Sequence, residues 1–175
     1  TTDVRKFAVV GSGPAGISAA LVLAERGHSV DLFEAADEIG GQLNMAKVIP
    51  GKEEFHEMLK YFNRQIELLG VRVHLGVRVA ADDLIAGNYD GVIIATGVVP
   101  RDPKIEGQDH PKVLSYIDVL RGRVAVGQRV AIVGAGGIGF DVAEFLLHDG
   151  HSPTLNLDEW LSDWGVVDPA EARGG

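Results

Sequence analysis

The feature that most constrains this chain is a glycine-spaced octet that occurs twice. The first copy is Val9-Val10-Gly11-Ser12-Gly13-Pro14-Ala15-Gly16, and the second is Ile132-Val133-Gly134-Ala135-Gly136-Gly137-Ile138-Gly139. An apolar run ending in Gly-x-Gly-x-x-Gly predicts a strand, a tight turn and a helix in immediate succession. Each glycine has its own task. The first permits the turn, the second lets the backbone approach a pyrophosphate, and the third lets the helix pack closely on the sheet. The unpaired N–H groups and positive end of the helix dipole then face the phosphates.

Around the first copy the pattern extends into a βαβ unit. Phe7 to Val10 reads as a strand, and Pro14 to Arg26 as a helix with Ile17, Leu21 and Ala24 on one side. Gly27 stops that helix, and Val30 to Phe33 alternates as a second strand. Glu34 follows eighteen residues after Gly16, at the carboxyl end of the second strand. An acidic group there accepts hydrogen bonds from both ribose hydroxyls and repels a 2′-phosphate, so the first site is expected to hold the AMP half of FAD or NAD, not of NADP.

Farther along, Phe55, Met58, Leu59, Phe62, Ile66 and Leu69 mark a helix from Glu53 to Leu69, ended by Gly70. Val71, Val73 and Leu75 alternate as a strand that Val77 and Val79 resume after Gly76, and Val92 to Ala95 reads as a buried strand. Pro100, Pro103 and Pro111 with Gly107 mark a crossover, and Ser115-Tyr116-Ile117-Asp118 has the form of a capping box opening a short helix. The second copy then predicts a strand over Arg129–Val133 and a helix over Ile138–His148 with Val142, Phe145 and Leu146 on one side. Leu157, Trp160, Leu161 and Trp164 carry helical spacing as a packing stripe, and the chain is expected to fray at Pro169 and Gly174-Gly175. The domains follow as 3–102, a linker over 103–127, and the incomplete opening of a second unit over 128–175.

Charge and composition remove other function classes. The net charge of −9 opposes phosphodiester binding, so nucleic acid is not an expected partner. No apolar run is long enough to span a bilayer and Thr1 to Lys6 lacks the core of a secretory signal, so no membrane partner and a cytoplasmic location are expected. With no cysteine, the chain supplies no redox pair, thiolate nucleophile or conventional iron–sulfur ligands. The six histidines show no metal spacing; His148 and His151 are expected to face solvent near a helix end. Ser12 has no His and Asp arrangement of a nucleophile, and no residue is assigned a catalytic role.

Gly40-Gly41-Gln42 soon after Glu34, and Ala95-Thr96-Gly97 closing a buried strand ahead of a second fingerprint, resemble the two-dinucleotide-binding-domain flavoproteins. That resemblance implies an α/β, Rossmann-like FAD-binding fold followed by the start of a second, truncated NAD(P)-binding Rossmann unit. Gly134, Gly136, Gly137 and Gly139 would serve NAD(P)H, with NADH and NADPH both open because no second acidic or basic ribose reader is legible. The runs Gly40 to Lys47, Ile49 to Phe55, His110 to Tyr116 and Gly136 to Asp141 resemble more narrowly the bacterial NADPH-dependent 2,4-dienoyl-CoA reductases, relatives of trimethylamine dehydrogenase. The resemblance implies FAD contacts at Gly11, Gly13, Pro14, Ala15, Gly16, Glu34, Gly41, Gln42, Lys52, Val79, Ala95, Thr96 and Gly97. It also implies, as a partner within the same polypeptide, an N-terminal TIM barrel holding FMN and an iron–sulfur cluster. Electrons would pass from NADPH through FAD, cluster and FMN to a dienoyl-CoA of fatty-acid β-oxidation. The same region of an amine dehydrogenase or another reductase, and a non-catalytic nucleotide-binding module, are the alternatives.

Overall fold

The computed structural model describes residues 1–148, 150–167 and 170–171. The expected fraying at Pro169 and Gly174-Gly175 lies outside the described residues. The chain forms two compact units, one of residues 1–46 and 55–110 and one of residues 47–54 and 111–175.

The first unit is an α/β sheet fold. Strand β1 (Lys6–Val10) feeds helix α1 (Pro14–Glu25), which returns to β2 (Ser29–Phe33). Pro14 at the first helical position fits because the N–H it lacks would have no intrahelical partner there. Arg26 closes the helix and Gly27, at φ +88°, turns the chain back. Helix α2 (Leu43–Ala46) precedes α3 (Glu54–Leu69); β3 (Arg72–His74), α4 (Ala81–Ala86) and β4 (Gly91–Ile94) complete the sheet.

The strand order is β3-β2-β1-β4, with every pair parallel. Phe7 opposes Val30 on one side and Gly91 on the other, which places β1 in the middle. Val9, Val30 and Leu32 point to one face, where Ile17, Ala20 and Leu21 of α1 and Ile66 of α3 complete the core with Ile39 and Val71. Fully burying one such side chain contributes about 1.5–3 kcal/mol, so this cluster dominates the stability of the unit. On α3 the stripe is narrower than the sequence suggests: Leu59 and Ile66 are buried, whereas Met58 is exposed.

The second unit contains α5 (Tyr116–Leu120), α6 (Gly137–Leu147), a 3₁₀ turn (Pro153–Leu155) and α7 (Leu157–Asp163). Ser115 caps α5, its hydroxyl accepting from the Asp118 N–H at 3.1 Å, as the capping-box pattern predicts. Three strand expectations are corrected. β4 forms where expected but is not buried, since it lies at the edge of the sheet with Val92 and Ile94 exposed. Arg129–Val133 has no ladder partner among the described residues, and Val130, Ile132 and Val133 are exposed. Val77 and Val79 do not resume β3, because Gly76 turns at φ +68° and the Val77 N–H bonds to the Glu34 carbonyl instead.

Candidate functional site

The carboxyl edge of the sheet brings together the ends of β1, β2 and β4, with Gly11, Glu34 and Ala95 the first residues beyond them. Winding reverses at β1, and open α/β sheets take ligands in the crevice outside the carboxyl ends at such a switch point.

Two of the first three glycines are required by the protein itself. Gly11 leaves β1 at φ +102°, donating its N–H to the Phe33 carbonyl at 2.8 Å, and a Cβ there would collide with the Ala95 carbonyl. A Cβ on Gly16 would overlap the Gly11 carbonyl oxygen and stand 3.3 Å from the Ala95 Cβ. Ala95 is held in turn by its N–H bond to the Val10 carbonyl at 2.8 Å. Gly13 differs. It has φ −70° and ψ 178°, and nothing lies within 4 Å of where its Cβ would stand. Packing does not demand a glycine there, but a pyrophosphate approaching the backbone would.

Gly13 is the N-cap of α1 and no side chain caps that end, so the helix presents its open amino terminus beside Pro14 and the exposed Ala15. The loop after β2 presses on this turn. The Gly40 N–H donates to the Ser12 carbonyl at 2.8 Å, and a Cβ on Gly41, at φ +55°, would come within 3.0 Å of the Gly13 Cα. Gln42 lies next to it, exposed, before α2 begins.

Glu34 is aimed by three bonds. Its Oε2 accepts from the Ser12 N–H at 2.8 Å and the Ser12 hydroxyl at 2.7 Å, and its Oε1 accepts from the Ala36 N–H at 2.9 Å. Burial pushes the carboxyl pKa up, but the bonds from Ala36 and Ser12 outweigh it and hold the group below the usual range. The ionised carboxylate has about four lone-pair positions, and these bonds fix which way its remaining acceptor capacity faces. Ser12, fully buried, has a purpose the sequence reading missed: it orients the carboxylate. The N–H groups of Gly76 and Val77 bond to the Ala36 and Glu34 carbonyls at 2.7 and 2.8 Å, which fastens the segment leading to half-buried Val79 beside Glu34. Thr96 and Gly97, the latter at φ +72°, continue exposed from Ala95.

The second octet repeats this geometry within its own unit. Gly134 turns at φ +120°, Gly136 caps α6 at φ −87° and ψ 179° without a side-chain bond, and a Cβ on Gly139 would overlap the Gly134 carbonyl. The positions at Gly136 and Gly137 are open. Lys52, which the resemblance assigns to FAD, belongs to this unit, where its Nζ bonds both Asp141 carboxylate oxygens at 2.7 Å. Next to it Glu53 accepts from the Thr154 hydroxyl at 2.9 Å. Burial raises the Glu53 carboxyl, and hydrogen bonds from Ser152, Thr154 and Gly51 override that and bring it down to about 2.

One further group has no role in the sequence reading, and one departs from it. Asp31 of β2 is buried, held by Arg72 Nε and Nη2 and by His74 Nε2, each at 2.8 Å; the Arg72 hydrogen bonds lead in bringing its pKa down to about 2. The alternation Val30-Asp31-Leu32 was the available signal, since it puts an acid on the sheet face opposite the core. His148 is half-buried with its Nε2 shielded from solvent, not turned outward as expected, whereas His151 is exposed and bonds Glu159 at 2.6 Å. Among the described residues no cluster of three or more His, Cys, Asp or Glu could hold a metal, and no helix is long and apolar enough to cross a membrane.

Residues 5–157 match the family model described as pyridine nucleotide-disulphide oxidoreductase. An NADH oxidase of Thermoanaerobacter brockii is 37% identical over 166 residues, covering 93% of this chain and 25% of the relative. Among solved structures, a 2-naphthoyl-CoA reductase in complex with 2-naphthoyl-CoA aligns with a TM-score of 0.79 at 36% identity, covering 82% of this chain and 22% of the other. A 6-hydroxypseudooxynicotine amine oxidase from Pseudomonas geniculata aligns with a TM-score of 0.61 at 34% identity, over 70% of this chain and 20% of the other. The chain thus spans about a quarter of the length of these relatives.

Proposed function

This chain belongs to the pyridine nucleotide-disulphide oxidoreductase family, and from that premise we propose that its first glycine turn holds FAD, its second holds NAD(P)H, and the longer protein reduces a conjugated acyl-CoA. Family membership makes it the FAD/NAD(P)-binding domain of a flavin-dependent oxidoreductase. The observation that carries the cofactor reading is that Gly13 and Gly136 are both open at the Cβ position, each at the uncapped start of a helix.

The residues present fit FAD. Gly13, Pro14 and Ala15 offer the pyrophosphate an unobstructed helix terminus, with Gly11 and Gly16 shaping the turn. Ionised Glu34 takes a ribose hydroxyl and rejects a 2′-phosphate. Gly41 and Gln42 border the turn, Val79 lies on the segment fastened beside Glu34, and Ala95, Thr96 and Gly97 line the β4 side. Gly134, Gly136, Gly137 and Gly139 offer the corresponding turn to NAD(P)H. When bound, FAD supplies hydride acceptance from a nicotinamide and onward electron transfer.

The dienoyl-CoA substrate, NADPH, and a partner barrel with FMN and an iron–sulfur cluster complete the proposal. The likeness to a reductase that takes an aromatic acyl-CoA supports the substrate class. The likeness to an amine oxidase supports an amine as the competing substrate. Titrating the 175-residue chain with FAD, followed by flavin fluorescence, tests the cofactor; no binding would refute it. The chain alone, lacking cysteine ligands for a conventional cluster, is expected not to reduce a 2,4-dienoyl-CoA with NADPH. The longer protein is expected to do so, and turnover of amines in place of dienoyl-CoA would overturn the substrate assignment.

A further inference from the structure

Strand β3 has three residues, lies at the edge of the sheet and pairs with β2 alone. A strand so short, paired on one side, has few ladder bonds to keep it in place. Yet the chain leaving it supports the ribose-facing acid from behind. The His74 carbonyl accepts the Glu34 N–H at 2.9 Å, the Val77 N–H returns to the Glu34 carbonyl at 2.8 Å, and the Gly76 N–H bonds the Ala36 carbonyl at 2.7 Å. Ala36 in turn donates its own N–H to the Glu34 carboxylate at 2.9 Å. Glu34 is thus fixed in front by Ser12 and behind by the end of β3.

A side chain on the sheet face opposite the α1 core fixes β3 itself. Asp31 stands directly across from Arg72, whose Nε and Nη2 reach its two carboxylate oxygens, each at 2.8 Å. The same carboxylate bonds His74 Nε2 at 2.8 Å, so one group, 5% exposed, grips both ends of the strand. His74 also lies flat against Phe33, the residue before Glu34, with ring centroids 4.7 Å and planes 16° apart. Sheet stability alone gives little reason for a buried charge here, since apolar residues of similar volume often replace such pairs without loss. We propose that Asp31 is a positioning residue of the adenosine site, acting through Arg72 and His74 to hold the end of β3 where it keeps Glu34 aimed at the ribose. The inference rests on the reading of Glu34 as the ribose acceptor of the first turn. An acceptor of this kind has to be held to within about 0.5 Å by the residues behind it, so a loosened β3 reaches the ligand without touching it.

The test uses Asp31→Asn, Arg72→Met and His74→Phe in the 175-residue chain, each titrated calorimetrically with ADP and 2′,5′-ADP where urea curves show it fully folded. Asp31→Asn is expected to raise the Kd for ADP about three- to fivefold and to cut the preference for ADP over 2′,5′-ADP about threefold. Tyr89 also bonds Asp31, so the other two variants isolate β3 and decide the matter if Asp31→Asn does not fold. Arg72→Met keeps the aliphatic stem and His74→Phe keeps the stack on Phe33. Each should show a smaller loss in the same direction, and Arg72→Met should add little in the Asp31→Asn background. Amide hydrogen exchange should quicken at Glu34, Gly76 and Val77 while the Ala95 amide, bonded to Val10, stays protected. Ile66→Val, which thins the core on the other face of the sheet, is the control: it should lower the urea midpoint and move neither Kd. Unchanged affinity and preference in all the folded variants of the cluster, or an equal loss in Ile66→Val, would overturn the proposal. A wild-type chain that takes neither ADP nor FAD would instead overturn the reading of the first turn, and this inference with it.

Discussion

Replacing Glu34 by Gln removes one charge without changing shape, and the three bonds to its carboxylate allow the effect to be worked out. Gln has a single acceptor oxygen. If that oxygen faces Ser12, it keeps the Ser12 N–H and hydroxyl bonds and turns an NH₂ group toward the Ala36 N–H; the reverse orientation strands Ser12 instead. The first loses fewer bonds, so one bond to a charged acceptor disappears. Such a bond contributes about 1.5–3 kcal/mol, and the half-exposed position lowers the expected loss of folding stability to about 1–2 kcal/mol. Binding changes separately. Two unit charges about 4 Å apart interact by about 1 kcal/mol in water and about 4 kcal/mol at an effective dielectric of about 20. For Glu34 against a ribose 2′-phosphate, about 2 kcal/mol is the middle of that range, equal to a preference of about 30-fold for ADP over 2′,5′-ADP. Calorimetric titration should show that preference in the wild type, its near disappearance in Glu34→Gln, and its reversal in Glu34→Arg, which should also weaken FAD. Equal affinity of the wild type for ADP and 2′,5′-ADP, or an unchanged preference in Glu34→Gln, would refute the reasoning.

Other outcomes follow from the same geometry. Gly13→Val should change urea stability by under about 1 kcal/mol, because its Cβ meets open space and its φ suits any residue, yet raise the Kd for FAD more than about tenfold; flavin retention would count against the pyrophosphate assignment. Gly16→Val should cost at least about 2 kcal/mol, since its Cβ falls on the Gly11 carbonyl, a backbone atom that cannot swing aside; a wild-type urea midpoint would contradict the close packing of α1. Asp31 has its folded pKa depressed to about 2 from 3.8, so its stabilisation is fully present above pH 4 and is lost as pH falls toward 2. Asp31→Asn should therefore destabilise by about 1–2 kcal/mol at pH 7 and converge on the wild type near pH 2, and parallel stability curves across that window would exclude the linkage.

The parts of the fold legible in the sequence are those in which one stretch contains its own evidence. The β1-turn-α1-β2 unit is written locally, because Gly11, Gly16, Pro14 and Gly27 each fix a backbone conformation and Val9, Ile17 and Leu32 fix the buried face. A strand is different, because it exists through a partner. Arg129–Val133 has strand-like side chains but no neighbour in a ladder among the described residues, and Val77 spends its N–H on a turn. In the site, Glu34 was visible from its spacing, but the bonds from Ser12 that aim it were not, since a serine in a glycine loop looks like any other. Lys52 and Asp141 are 89 residues apart, and no periodicity connects them. The resemblance implies an FAD contact for Lys52, and its bond to Asp141 is a further feature that no motif announces.

The eight residues from Lys47 to Glu54 belong to the second unit although the chain on either side of them belongs to the first. During synthesis this segment emerges long before Asp141 and Thr154, which are 89 and 101 residues away from the groups that bind them. At about 5–20 residues per second, Lys52 and Glu53 wait about 4–20 seconds for their partners. The four strands of the first unit's sheet are all made once β4 is complete, well before the partners of this segment exist. A cut at any single peptide bond cannot separate the two units cleanly. Dissecting them requires two junctions, one on each side of that segment, and a split protein made at the crossover alone would leave it on the half that does not use it.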